Sequence, residues 1–214
     1  MSIPDVISFL QHPKTTWSSR GHTTIETEFD IKPNDFLRFA ELDLAAGYEH
    51  SLVNALSNAK RALDSQIDTL LIGFGFYSEA KNKRWGFPTK VQRIKELGII
   101  APRVLNKINK TRNLMEHEFT MPKYDMTEDF VDIASLFLAS TNKYIYDLPG
   151  YCELENEVLS EFWINMELHL ESSSLELWYI PIEGEKIIRV FEPGDSDYID
   201  LLKGYLDKGS TMRY

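Results

Sequence analysis

The stretch "EFWINMELHLESSSLELWYIPIEGEKIIRVFEP", residues 161–193, decides the fold class because its apolar side chains recur at every second position. Ile164, Met166, Leu168 and Leu170 alternate with the polar residues Asn165, Glu167, His169 and Glu171, and a period of two is typical of a β-strand with one buried face. Turn signals follow in the serine-rich residues 171–174 and in residues 183–185. The stretch therefore predicts a three-stranded antiparallel meander, with strands near 161–171, 174–182 and 186–192.

Upstream of this meander, from about residue 33 to 148, the spacing of apolar residues changes to that of α-helices. The clearest example is "HSLVNALSNAKRALDSQIDTLL", residues 50–71, in which Leu52, Leu56 and Leu63 lie on one helical face. Glycine and proline separate such segments, and Pro149 with Gly150 ends the last of them. We expect a bundle of about five helices.

The first 32 residues are predicted to be extended. "HTTIETEFDI", residues 22–31, alternates apolar and polar side chains, which predicts a strand that could join the meander. The expected fold class is thus α+β, mainly a helical bundle with a small C-terminal antiparallel β appendage. The expected division is an extended segment over 1–32, the bundle over 33–148, and the appendage with a terminal helix over 149–214.

Composition favours a folded protein, and we expect it to be cytoplasmic, without a structural zinc site and without a cofactor. The 214 residues are 43% hydrophobic and include one cysteine, Cys152, with no second cysteine or close histidine pair to complete a zinc site. The first residues lack a basic segment followed by a long apolar run, and no apolar run in the sequence reaches the length of a membrane span, so we expect no secretory leader and no transmembrane helix. The net charge of −10 conceals a basic stretch, because residues 81–112 alone carry a net +9. Such a stretch can attract a polyanion, or it can form a solvated helix surface that pairs with acids elsewhere.

Within the basic stretch, "TRNLMEHEF", residues 111–119, places Arg112, Asn113 and His117 on a predicted helix over 101–119. At about 100° per residue, Arg112 falls among the apolar residues of that helix, whereas Asn113 and His117 share its polar side. An arginine on an apolar face points to a core or to an interface between subunits. Arg112 and His117 are roughly 140° apart, so one site can use both only across a groove or where the helix loosens.

"RNLMEH", residues 112–117, on a late helix of a four- or five-helix bundle resembles the HEPN superfamily, whose signature is arginine and histidine separated by four to six residues. The resemblance covers about residues 33–148. It implies a metal-independent endoribonuclease, of a toxin or phage-defence type, in which the ribose 2′-hydroxyl attacks the adjacent phosphate within a homodimer cleft. It also implies Arg112, Asn113 and His117 as catalytic residues, an RNA substrate, and an antitoxin or nucleotidyltransferase as a partner.

The chemistry of these residues suits that implied reaction. Histidine transfers protons near neutral pH, and the planar donors of arginine can bind the oxygens of a phosphorane as charge accumulates. Trp85, inside the basic stretch, could stack on a base or be buried beneath its loop. The basic residues expected to contact RNA are Lys83, Arg84, Arg103, Lys107 and Lys110.

Three alternatives to this interpretation stay open. Arg112 could form an ion pair with Asp64 or Asp68 of the long helix while His117 stabilises a helix C-terminus, which would make both residues structural. The chain could also be a non-catalytic HEPN-like dimeric adaptor, sensor or nucleotide-binding module, or a purely structural helical protein. The RNA target, the natural partner and the role of the β appendage do not follow from the sequence.

Overall fold

The computed structural model describes residues 3–99, 105, 120–156, 163–181 and 184–209. In these residues the chain begins with helix α1 (Ile3–Gln11) and strand β1 (Thr15–Thr23) and continues into a helical region. The elements of that region are α2 (Pro33–Ala46), α3 (Glu49–Gly73), α4 (Tyr77–Asn82), α5 (Phe87–Glu96), α6 (Tyr124–Thr141) and α7 (Lys143–Tyr146). Four strands and a helix follow: β2 (Leu148–Asn156), β3 (Ile164–His169), β4 (Ser174–Tyr179), β5 (Ile187–Phe191) and α8 (Tyr198–Gly209).

The helical region is built around α3, which packs against α2, α5 and α6. Its buried residues Leu56, Leu63, Ile67 and Leu70 recur every three or four positions, as a helix with one apolar face requires. Helix α2 begins at Pro33, where the missing N–H costs nothing, and the Lys32 backbone N–H donates to Asp35 Oδ2 at 3.1 Å. The prediction that residues 33–148 are mainly helical is confirmed for the described residues of that range up to Tyr146.

The sheet is antiparallel and its strands lie in chain order, β1-β2-β3-β4-β5. The predicted meander is confirmed as β3, β4 and β5. Strand β2 was not predicted, although Cys152 and Leu154 point into the core while Tyr151 and Glu153 alternate with them. Strand β1 pairs with β2 along its whole length, from Thr15 opposite Asn156 to Thr23 opposite Leu148.

The predicted fold class is wrong in its second part, because the sheet is not a small C-terminal appendage. Its first strand comes from the N-terminal segment, and residues 24–147 are inserted between two strands that are neighbours in space. One face of the sheet packs against α1 and α8, where the Tyr205 hydroxyl donates to the Pro149 carbonyl and its ring packs edge-on against Trp17 at 5.8 Å. The buried residues of sheet and bundle form one continuous hydrophobic core.

The prediction for residues 1–32 is also wrong in detail. Residues 3–11 are helical, with Val6, Phe9 and Leu10 buried, and the strand lies at 15–23 rather than at 22–31. The segment after β1 packs on the bundle instead, because Ile25 lies against Gly73, where an added Cβ would be 2.2 Å from Ile25 Cδ1. The Ile25 N–H donates to the Ile145 carbonyl at 2.8 Å, which fixes that position.

Candidate functional site

The candidate RNA-binding region begins where α3 ends and the chain turns into α4. Gly75 has φ +79°, and a Cβ there would be 2.3 Å from Pro193 Cγ, so only glycine permits this close approach. On the other side of the junction, the Tyr198 hydroxyl donates to the Ser173 carbonyl at 2.6 Å. The junction between α3 and α4, which precedes the basic stretch, is therefore packed closely against residues at the sheet end of the molecule.

A tight turn joins α4 to α5 and carries two of the residues predicted to bind RNA. Arg84 adopts a positive φ of 51°, a conformation that costs free energy for any residue other than glycine. Its neighbour Trp85 is partly buried against the core, and Pro88 lies in the first turn of α5. The turn presents Lys83 and Arg84 to solvent.

The second half of the basic stretch within the described residues is partly structural. The Arg93 guanidinium lies 4.7 Å from the ring centre of Phe76 and 5.3 Å from that of Trp85. Arg93 also contacts Glu96 at 3.3 Å. Because a guanidinium already lies over one face of the Trp85 indole, that face is not open to a nucleotide base.

Lys90 is likewise occupied by a partner within the protein. Its ammonium binds Asp68 Oδ1 at 2.6 Å, and both side chains are only 18% exposed, so the pair joins α5 to α3. Burial raises the pKa of the Asp68 carboxyl above its usual value, and the opposing effect of Lys90 is smaller. Lys90 therefore contributes to packing rather than to a surface for anions.

The remaining basic side chains of this region are exposed. Lys83 contacts Glu79 at 2.7 Å while its side chain stays 66% exposed, and the Lys81 ammonium lies 5.6 Å from the ring centre of Tyr77. Weak surface contacts of this kind are readily exchanged for a phosphate. The basic side chains available to a polyanion in this region are Lys81, Lys83, Arg84 and Lys95.

The proposed catalytic residues Arg112, Asn113 and His117 lie outside the described residues. The same is true of three predicted RNA contacts, Arg103, Lys107 and Lys110. Leu105, the one described residue of this segment, is helical and fully buried, as expected of an apolar position on the predicted helix.

The two acids considered as partners for Arg112 both have cations beside them. Lys60 contacts Asp64 at 2.8 Å across one helical turn, and Lys90 contacts Asp68. The carboxylates therefore already have charge partners among the described residues. Whether either also binds Arg112 stays a prediction.

Gln66 is a buried polar residue that the sequence did not identify. Its side-chain amide donates to Thr141 Oγ1 at 2.9 Å and to Asn142 Oδ1 at 3.0 Å, which joins α3 to the end of α6. The signal was its position, because Gln66 lies between Leu63 and Leu70 on the buried face. The NH2 group of this glutamine is satisfied within the core, whereas its buried Oε1 has no hydrogen-bond partner among the described residues.

Membrane-spanning helices and metal-binding clusters are both lacking among the described residues. None of the described helices combines the length and hydrophobicity needed to cross a membrane. Over the same part of the chain, histidine, cysteine, aspartate and glutamate side chains do not gather into a group of three or more that could hold a metal ion.

Comparison with known proteins yields no relative: no family model, no curated protein and no solved structure matches the chain. The HEPN resemblance therefore stays a prediction from the sequence of residues 112–117.

Proposed function

We propose that the protein is a metal-independent endoribonuclease of the HEPN type. The observation that carries the proposal is the sequence "RNLMEH", residues 112–117, at the end of a basic stretch. In the proposed reaction His117 transfers protons, and Arg112 binds the charged oxygens of the phosphorane. Asn113 assists as a neutral donor beside them.

The distribution of charge in the described residues supports an RNA substrate. Lys81, Lys83, Arg84 and Lys95 are exposed on one short region of a protein whose remainder is strongly acidic. A local basic surface guides a polyanion to one place while the acidic body repels it elsewhere. Lys90 and Arg93 do not belong to this exposed surface, because they form ion pairs with Asp68 and Glu96.

The second candidate is a non-catalytic adaptor of HEPN type that works with a partner protein, such as an antitoxin or nucleotidyltransferase. The net charge of −10 favours it, because an acidic protein is a poor general binder of nucleic acid. The two candidates differ in one respect that can be measured: only the first cleaves RNA.

The deciding experiment is cleavage of a labelled RNA by the purified chain in EDTA. We expect products ending in 2′,3′-cyclic phosphate, and no cleavage of DNA of the same sequence, which lacks the 2′-hydroxyl. Arg112→Ala and His117→Ala should each lower the rate by about a hundredfold or more, with unchanged helical circular dichroism.

Two control variants make the experiment specific. His169→Ala changes an exposed histidine of β3 and should leave the rate unchanged, whereas Lys83→Ala with Arg84→Ala should mainly raise KM. A purified protein that leaves RNA intact, or a His117→Ala variant that cuts as fast as the unaltered chain, would exclude the nuclease and favour the adaptor. Loss of fold in Arg112→Ala would instead identify a structural ion pair.

A further inference from the structure

The face of the sheet turned away from α1 and α8 carries two cross-strand rows of side chains, called here the outer face. Strand register places Glu153, Asn165, Trp178 and Ile188 in one row. The second row comprises Arg20, Tyr151, Glu167, Glu176 and Val190. Ile188 and Val190 in these rows are apolar and exposed, so the outer face combines charged side chains with exposed apolar ones.

Two carboxylates on the outer face are placed against each other. Glu167 of β3 and Glu176 of β4 are directly paired across the strands, an arrangement in which like charges destabilise a sheet. His169 offers limited compensation, with its ring nitrogens 3.9 Å from Glu167 and 3.7 Å from Glu176. Glu153 adds a third carboxylate on β2, 3.9 Å from the highly exposed Arg20. A further cation bound beside these carboxylates would be stabilised by their negative charge.

Two aromatic rings lie beside the carboxylates, and one of them already binds a cation. The Lys186 ammonium lies 3.9 Å from the ring centre of Trp178, and Tyr151 lies 6.2 Å from the same ring. The Tyr151 hydroxyl is oriented by its hydrogen bond to Asn165 Oδ1. Burial and then the negative charge of Glu153 raise the pKa of Tyr151, in keeping with an electronegative surface.

Exposed aliphatic side chains border the same rings. Ile188 and Val190 of β5 are 52% and 54% exposed, and Ile180 after β4 is 53% exposed. Trp163, immediately before β3, is 68% exposed. Apolar side chains clustered on one sheet face are typical of a surface that binds another protein.

We propose that the outer face binds a basic, partly apolar peptide segment of a partner protein, with its cations on Trp178 and the Glu167–Glu176 pair and its apolar side chains on Ile188 and Val190. Charge complementarity selects this class of partner, because the three carboxylates outnumber the two cations of the outer face, Arg20 and Lys186, and so favour a basic segment over nucleic acid or an acidic peptide. In the free protein the Lys186 ammonium contacts the Trp178 ring, and a cation of the bound segment takes its place. The proposal is independent of the nuclease activity.

Calorimetric titration of the full chain with a synthetic peptide that alternates arginine and leucine tests the proposal. We expect binding that weakens at high salt, while a peptide alternating glutamate and leucine should not bind. Glu167→Gln with Glu176→Gln should weaken binding about tenfold. The matched control, Glu128→Gln with Asp132→Asn, removes two exposed carboxylates from α6 and should change binding less than about twofold.

Two single variants test the aromatic contact separately from charge. Trp178→Leu preserves an apolar side chain and should weaken peptide binding about threefold or more. Lys186→Met removes the ammonium group from the Trp178 ring and should strengthen peptide binding. Circular dichroism must show that each variant keeps its fold. Absence of binding, or equal binding by the Glu167→Gln/Glu176→Gln variant, would overturn the proposal. So would light scattering in which that variant dissociates a dimer, because the outer face would then bind a second copy of the chain.

Discussion

Lys90→Met offers a precise test of the assignment of Lys90 to packing. The substitution keeps an unbranched side chain of similar length but removes the ammonium that binds Asp68 between α5 and α3. Lys83→Met is a matched control, because Lys83 and Glu79 contact each other at 2.7 Å, nearly the distance of the first pair. The two pairs differ mainly in exposure, since Lys90 and Asp68 are 18% exposed and Lys83 is 66% exposed.

The expected magnitudes follow from that difference. Breaking a fully buried pair costs about 3–5 kcal/mol, and losing an exposed pair costs about 0–1 kcal/mol. Because Lys90 and Asp68 retain some contact with water, we expect Lys90→Met to lower the free energy of unfolding by about 2 kcal/mol. Lys83→Met should lower it by less than about 0.5 kcal/mol.

The pH dependence gives the test a second readout. Burial already raises the pKa of Asp68, and removal of Lys90 takes away an interaction that lowers it, so the folded variant should bind a proton more tightly than the unfolded chain. Stability linked to a raised carboxyl pKa is present at low pH and is lost as pH rises through the folded pKa. The deficit of Lys90→Met should therefore shrink as pH falls from neutral toward the usual aspartate value.

Urea unfolding followed by circular dichroism at neutral and mildly acidic pH measures both effects. Equal losses in Lys90→Met and Lys83→Met would refute the reasoning, because burial would then not distinguish the two pairs. A deficit in Lys90→Met that grows on acidification would refute the pKa argument alone. RNA cleavage by a folded Lys90→Met variant should remain, because this lysine does not belong to the exposed basic surface.

The remaining predictions concern packing and assembly. Gly73→Ala should lower the free energy of unfolding by about 2–4 kcal/mol, since its Cβ would collide with Ile25, whereas Gly194→Ala, which meets no atom within 4 Å, should change it by less than about 0.5 kcal/mol. Similar urea midpoints for both variants would contradict this packing. The chain should form a homodimer, because the proposed cleft uses the motif from two subunits; light scattering that yields the mass of one 24.8 kDa chain would count against it.

The helices and the meander could be predicted because their signals are local. A period of three to four residues in α3, and of two in β3 and β4, is set by burial of one face of each element. The N-terminal segment could not be predicted in the same way. Whether the alternating residues after β1 pair with the sheet depends on Gly73, far along the chain, which leaves space for Ile25 against the bundle.

The roles of the basic residues were also only partly predictable. Sequence identified the basic stretch, but all of its cations appear equivalent until their partners are known. Lys90 has its partner Asp68 on a different helix, and Arg93 lies between two aromatic rings, so neither pairing follows from local spacing. The sequence predicted that one face of each alternating strand is polar, but it did not predict which carboxylates of the outer face are neighbours. That depends on the cross-strand register.

The insertion of residues 24–147 between β1 and β2 has a consequence for how the protein is made. At ribosomal speeds of about 5–20 residues per second, β1 emerges on the order of ten seconds before the strand that pairs with it. During this interval Trp17 and the backbone of β1 lack their native neighbours, so the nascent chain exposes a strand that can pair with other chains. We expect holdase chaperones to raise the yield of soluble protein during synthesis. We expect them to have a smaller effect on the yield when the finished chain is refolded.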